Sequence, residues 1–387
     1  MIHVLFVFGT RPEAIKLAPV IKHLQTRPEE FRVTICLTSQ HKAILRQVTD
    51  FFSITEDVDL DVMLPNQTLE HITAAVLTRM KDVLERYTPD VLLVQGDTTT
   101  VFASALAAFY HRIPVGHVEA GLRTFNKFSP FPEEMNRTLC AVLTDFHFAP
   151  TRLAAANLLR EAHPADRVEV TGNTVVDALF LGREILASWK PEERRTLLAE
   201  ADLPADFIAR LESGAIRLIT VTAHRRESFG APFEHMCGAM TDIVARHPDV
   251  EIVYPVHPNP NVRAVVKDVL AGNPRIHLIE PVRYEQLLHI MDKSVLLLTD
   301  SGGIQEEGPS LGKPVLVMRD VTERPEGVDA GVARLVGTDR ARIVAAVDEL
   351  LGDAAAYAAM ATGVNPYGDG KASERIAAIL LRQLGNG

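Results

Sequence analysis

Three acids in residues 94–137 (VQGDTTTVFASALAAFYHRIPVGHVEAGLRTFNKFSPFPEEMNR) carry the first chemical signal. Asp97 follows the apolar run 91–94, Glu119 follows the apolar run 113–118, and Glu133 follows Pro130-Phe131-Pro132 where helical sequence begins. Carboxylates delivered at two strand ends and a helix start can exchange protons with a ligand if they converge. Each also has a plainer reading. Asp97, ahead of three threonines, suits a helix N-cap. Glu133 or Glu134 suits the first turn of a helix. Glu119 lies between His117-Val118 and Ala120-Gly121, which leaves it no evident capping role.

The second half supplies groups for an anion. Residues 300–307 (DSGGIQEE) leave the strand-like run 295–299 and enter a helix. Ser301, Gly302 and Gly303 would open backbone N–H groups at the positive end of that helix, which suits a phosphate or pyrophosphate. Glu307, a turn further in, could reach a sugar hydroxyl; the alternative is a simple turn capped by Ser301. His224-Arg225-Arg226-Glu227 brings cations and a proton-transfer group to another strand end, or else is a solvated loop. Gly9-Thr10-Arg11-Pro12-Glu13 with Lys16 makes a cationic turn, or else a helix cap. His257-Pro258-Asn259-Pro260 is a rigid polar turn. Residues 308–313 (GPSLGK) are too short for a Walker loop and precede Pro314, and no GxGxxG follows the first strand, so a nicotinamide cofactor has no support.

These side chains need elements that aim them. Apolar and β-branched runs at 2–8, 32–37, 91–94, 114–118, 146–148 and 168–170 read as buried strands. Helical periodicity fills 14–24, 41–51, 69–87, 99–110 and 133–143 between them. Thr171-Gly172-Asn173 reads as a hinge, and helical, charge-rich sequence follows to about residue 211. The pattern then restarts, with strands expected at 217–221, 251–254, 277–279, 295–299 and 314–318. Strands alternating with helices imply parallel, doubly wound α/β layers whose working edge is the carboxyl end of the strands. Acids at the strand ends of one domain, facing cations at those of the other across a cleft, suit a nucleotide-sugar. The last helix, 372–384, carries an apolar stripe (Ile376, Ile379, Leu380, Leu384) that needs a packing surface.

Composition narrows the field. The 387 residues are enough for two domains, and a formal net charge of −10 disfavours a nucleic-acid partner. Cys36, Cys140 and Cys237 show no metal-ligand spacing and read as buried thiols in a reducing compartment. The one apolar run near the start, 4–8, is far below the length of a signal or a membrane span, so a cytoplasmic protein without a membrane partner is expected.

The segments FGTRPEAIKLAP, QGDTTT, GHVEAGLRT, PFPEEMNR, TGNTVVDAL, HRRES, YPVHPNPNV, TDSGGIQEE, GKPVLVMRDVTERPEG and NPYGDG resemble the non-hydrolysing UDP-N-acetylglucosamine 2-epimerase family, across residues 8–370. The resemblance implies two Rossmann-like domains in the glycosyltransferase-B arrangement, with the active site in the interdomain cleft. The expected division is 1–172 for the catalytic carboxylates, 173–364 for UDP binding, and 365–387 as a helix packing back on the first domain. It implies interconversion of UDP-GlcNAc and UDP-ManNAc for surface polysaccharide synthesis, without metal or other cofactor, by a homodimer. Asp97, Glu119 and Glu133 match the family's acid/base and sugar-orienting carboxylates, and His224 matches the histidine near the phosphates. Arg11, Ser301, Gly302 and Gly303 match diphosphate contacts, Glu307 the ribose contact, and Lys16 a site lysine. Gln40, His41, Gln67 and His257 fall in motifs matching a region where bacterial members bind a second UDP-GlcNAc as activator. Relatives often carry an aromatic at the position of Leu287, which puts base stacking in question. The competing expectations are a 2-epimerase for a UDP-diacetamido sugar, a glycosyltransferase of the same architecture, a hydrolysing epimerase and a non-catalytic sugar-nucleotide binder.

Overall fold

A computed structural model describes residues 1–39, 42–64 and 67–385. The chain forms two compact units, Met1–Leu181 with Tyr367–Gly387, and Gly182–Pro366. Each is built on a parallel sheet with alternating helices, so the α/β, doubly wound expectation holds for both.

The first sheet contains β1 (Ile2–Phe8), β2 (Phe31–Leu37), β3 (Val58–Asp59), β4 (Val91–Gln95), β5 (Val115–Val118), β6 (Phe146–Ala149) and β7 (Val168–Val170), in the order β3-β2-β1-β4-β5-β6-β7. All seven residues of β1 are buried, as expected of a central parallel strand covered by helices on both faces. β1 pairs in register with β2 on one side (Val4 with Val33) and with β4 on the other (Val4 with Val91). Strand order reverses at β1/β4, which places a crevice at their carboxyl ends. The last helix, Ala372–Leu384, belongs to this unit and packs on the helix Arg11–Gln25; the Asp177 carboxylate accepts from Ser373 N at 2.7 Å and Ala372 N at 3.2 Å.

The second sheet contains β8 (Arg217–Thr222), β9 (Val250–Pro255), β10 (Ile276–Ile279), β11 (Ser294–Thr299), β12 (Val315–Val317) and β13 (Ala333–Leu335), in the order β10-β9-β8-β11-β12-β13. Its reversal falls at β8/β11. The hydroxyls of Thr222 and Thr299, paired in register, bond at 2.6 Å and tie those two strand ends together. β3 and β13 escape the sequence reading: β3 has only two residues, and Ala333-Arg334-Leu335 lacks the β-branched residues that mark the equally short β7, Val168-Glu169-Val170.

The three cysteines are buried, and burial pushes each thiol up to about 12, which makes them unreactive packing residues. Among the described residues no helix is long and apolar enough to cross a membrane.

Candidate functional site

In the first unit the polar groups gather at the carboxyl ends of the central strands. Glu119 follows β5 and is largely buried. Its Oε1 pairs with Lys16 Nζ and lies 3.5 Å from Asn173 Nδ2, while its Oε2 accepts from Gln95 Nε2 at 2.5 Å. One carboxylate is therefore held by groups following three other strands: Lys16 on the helix after β1, Gln95 closing β4 and Asn173 after β7. Glu119 also sits at φ +65°, a left-handed backbone conformation that is uncommon for L residues. The neighbouring turn is fixed by Gly121, at φ +90°, where an added Cβ would lie 2.2 Å from the carbonyl oxygen of Ala154. Only glycine fits there.

Asp97 is not the helix cap that its place in the sequence permits. Thr98 caps the helix Thr99–Tyr110, accepting from Val101 N at 3.4 Å. The Asp97 carboxylate pairs instead with Arg137 Nη2, and its backbone carbonyl accepts from Asn136 Nδ2 at 3.0 Å. Both partners lie on the helix Glu133–Leu143, one helical turn in from its start. The acidic pair that opens this helix divides its roles. Glu134 is buried and accepts from Thr124 N at 3.0 Å, Phe125 N at 2.8 Å and Arg137 Nη1 at 3.2 Å. Glu133 is half-buried, and its side chain makes no hydrogen bond or ion pair among the described residues.

Glu13 was legible only as a helix-start residue, and the structure gives it more. It is buried, and its carboxylate accepts from Gly9 N at 2.8 Å, Thr10 N at 2.7 Å and Thr98 Oγ1 at 2.5 Å. It thereby joins the ends of β1 and β4 across the order reversal. Burial pushes its pKa up, with the three donors opposing that shift. Arg11 starts the same helix and is half-buried. His117, inside β5, reaches Gly96 O through Nε2 at 2.7 Å, and burial lowers its pKa to about 4, so it stays neutral near pH 7.

In the second unit the loops after β8, β9 and β11 meet. Ser301 is the N-cap residue of the helix Gly302–Ser310, but its side chain makes no capping bond to the helix amides. The positive end of this helix faces two guanidiniums: a Cβ on Gly302 would lie 3.9 Å from those of both Arg225 and Arg324. Backbone amides and two arginines around a glycine form an anion cradle. Gly303 is half-buried, and a Cβ there would lie 3.7 Å from Glu307 Oε1, so Glu307 borders the same turn. His224 precedes Arg225, and its ring stacks on His257 with centroids 5.2 Å apart and planes 12° apart. His257 thus adjoins His224, while its Nδ1 accepts from Asn259 N at 3.2 Å. Burial lowers the pKa of His224, and nearby Asp300 opposes that shift.

Gln67 accepts from Leu64 N at 3.0 Å in the first unit, whereas His257 belongs to the second. Gln40 and His41 lie outside the described residues. Leu287 packs against the apolar cluster of Leu198, Phe207 and Ile290, so the position is a core contact here. Sequence reasoning missed Gln95, Asn136, Arg137, Asn173, Asp300 and Arg324 as site residues. Each is a common polar type with a partner 18 or more residues away, besides bonds within its own loop or helical turn; Arg324 pairs with Glu306 and Arg137 with Asp97.

A pair of Rossmann-like doubly wound units, with carboxylates at the strand ends of one and an arginine-flanked helix N-terminus in the other, defines the class of fold. The model of the UDP-N-acetylglucosamine 2-epimerase family matches residues 22–381, and the chain belongs to that family. The UDP-N-acetylglucosamine 2-epimerase of Escherichia coli K12 is 52% identical over 373 residues, covering 96% of each chain. That of Yersinia pestis is also 52% identical, with the same coverage. Among solved structures, the Neisseria meningitidis UDP-GlcNAc 2-epimerase bound to UDP-GlcNAc superposes with a TM-score of 0.85 at 46% identity, covering 98% of this chain and 100% of that one.

Proposed function

We propose that this chain interconverts UDP-GlcNAc and UDP-ManNAc by eliminating UDP and adding it back. The observation that carries the reading is the Glu119 carboxylate, buried at the end of β5 and held there by Lys16 and Gln95. The C2 proton of the sugar is not next to a carbonyl, so a base alone cannot remove it. Breaking the C1–O bond to UDP builds oxocarbenium character at C1 and acidifies C2–H. Loss of that proton forms the C1=C2 bond of 2-acetamidoglucal, with UDP as leaving group. Re-formation of the C1–O bond, with a proton delivered to C2 from the other face, completes the inversion. The reaction therefore needs acid/base groups at the sugar and positive charge for the leaving diphosphate. Asp97, Glu119 and Glu133 take the first task. The cradle of Arg225, Arg324, Ser301, Gly302 and Gly303, with His224, takes the second, and Arg11 is a further diphosphate contact by the family resemblance. Glu307 takes the ribose.

The test is incubation with UDP-GlcNAc in D2O without acceptor. Deuterium at C2 of UDP-ManNAc, with no net free ManNAc, is the expected result. Folded protein that exchanges nothing at C2 would sink the reading. Free ManNAc with UDP would instead mark a hydrolysing enzyme.

The same reading includes the division at 1–172, 173–364 and 365–387, a cytoplasmic setting and a place in surface polysaccharide synthesis. It also includes activation by a second UDP-GlcNAc in the region of Gln40, His41, Gln67 and His257, and a homodimer. The homodimer has support in an apolar face. Met135, Leu139 and Val142 form an exposed stripe on the helix Glu133–Leu143, and the neighbouring helix ends in exposed Phe109 and Tyr110. Val142 is 73% exposed, a poor use of a valine unless something covers it. Val142→Glu should convert a dimer to a monomer in light scattering; an unchanged dimer mass would remove this face from the interface.

A further inference from the structure

We propose that Asp300 is a positioning residue for His224, selecting which imidazole nitrogen faces an anionic ligand; only the identity of that ligand rests on the epimerase reading. Asp300 follows β11 and His224 follows β8, on the two sides of the order reversal in the second sheet. Asp300 is 0% exposed. A carboxylate so deeply buried is costly unless donors surround it. Its Oδ2 accepts from two successive amides, His224 N at 2.6 Å and Arg225 N at 2.7 Å. Its Oδ1 is buried with no hydrogen-bond partner among the described residues and lies 3.5 Å from His224 Nδ1.

An orphaned buried oxygen calls for a donor, and the imidazole Nδ1–H is the group placed to supply it. One carboxylate therefore fixes both the loop that carries His224 and the orientation of its ring. The proton is held on Nδ1, leaving Nε2 as the nitrogen available to a ligand. The surroundings set the charge balance. Asp300 favours the imidazolium; burial, His257 stacked on the ring and Arg225 in the same loop oppose it. A diphosphate arriving at Nε2 adds negative charge and tips the ring towards protonation. The 3.5 Å separation then closes into a charge-assisted hydrogen bond. The loop itself is braced independently, because Tyr254 donates its hydroxyl proton to Ala223 O at 2.5 Å.

The experiment is histidine ¹⁵N NMR on the full chain, with the His224 signal assigned through His224→Asn, titrated with and without UDP. The expected result is the Nδ1–H tautomer in the free protein and a raised His224 pKa on adding UDP. In Asp300→Asn the side-chain oxygen still accepts both loop amides, while the new NH2 faces the ring. The tautomer should switch to Nε2–H, and the His224 pKa should fall by about one unit. The alkaline limb of the kcat/KM profile should move acidward by the same amount. The double variant Asp300→Asn/His224→Asn should lose no more turnover than His224→Asn alone, because Asp300 acts through His224. An Nε2–H tautomer in the unmodified protein, or an unshifted His224 titration in folded Asp300→Asn, would overturn the proposal. If Asp300→Asn does not fold, the tautomer and UDP response of the unmodified protein decide. If the NMR results hold while UDP-GlcNAc shows no C2 exchange, the epimerase reading fails and the His224–Asp300 pairing stands.

Discussion

Glu119→Gln is expected to lower kcat by about a hundred- to ten-thousand-fold, the range that a positioned acid/base group supplies. UDP affinity should stay near that of the unmodified protein, because the diphosphate cradle is made of other residues. The amide keeps the size of the carboxyl and can still accept from Lys16, so the fold should lose about 1.5–3 kcal/mol, the worth of a hydrogen bond to a charged group. The sign of that loss follows from geometry. Lys16 loses its ionic partner, while Gln95 can rotate its own amide to present an acceptor to the new NH2. Glu119→Ala should be worse for stability, since it removes the acceptor of the buried Gln95 amide. Turnover, C2 exchange in D2O, UDP titration and a denaturation curve on one preparation separate these effects. Full C2 exchange by Glu119→Gln would remove this carboxylate from proton transfer.

The sequence made the alternation of strands and helices readable because buried parallel strands are continuous apolar runs. Their carboxyl ends follow directly, and so did the grouping of Asp97, Glu119, His224 and Ser301 by position. What the carboxylates bond to was not readable. Asp97 ahead of Thr98-Thr99-Thr100 fits a cap on local grounds, and only the fold brings Arg137 to it and lets Thr98 take the cap. Glu133 and Glu134 are equivalent in a sequence; the fold buries the second against the amides of Thr124 and Phe125 and leaves the first without a partner among the described residues. Asp300 looks like part of a glycine-rich turn, yet its task is set by a loop 75 residues earlier. Local rules find where polar groups leave the core, and long-range pairing decides which of them are support and which remain for a ligand.

Arg137→Met makes that distinction measurable. Arg137 forks between Asp97 and Glu134, and its side chain is only 12% exposed. Methionine keeps much of the packing volume but removes the cation and both hydrogen bonds. Asp97 keeps some access to water, whereas Glu134 has almost none, so the larger stability cost comes from Glu134. Breaking a buried ion pair from one side costs about 3 kcal/mol or more, which a shifted urea midpoint would report. Turnover should fall by about a hundredfold as well, because Asp97 is released from the position that Arg137 imposes. Two companion variants divide the causes. Arg137→Lys retains the charge but not the planar fork, and should recover more stability than turnover. Glu134→Gln keeps an acceptor for the amides of Thr124 and Phe125 and leaves the Arg137–Asp97 pair in place, so it should cost stability with little loss of turnover. If Glu134→Gln instead costs as much turnover as Arg137→Met, the arginine works by bracing the loop at residues 124–125, and its contact with Asp97 is incidental. If Arg137→Met turns over normally, Asp97 is placed by the Asn136 bond to its backbone alone.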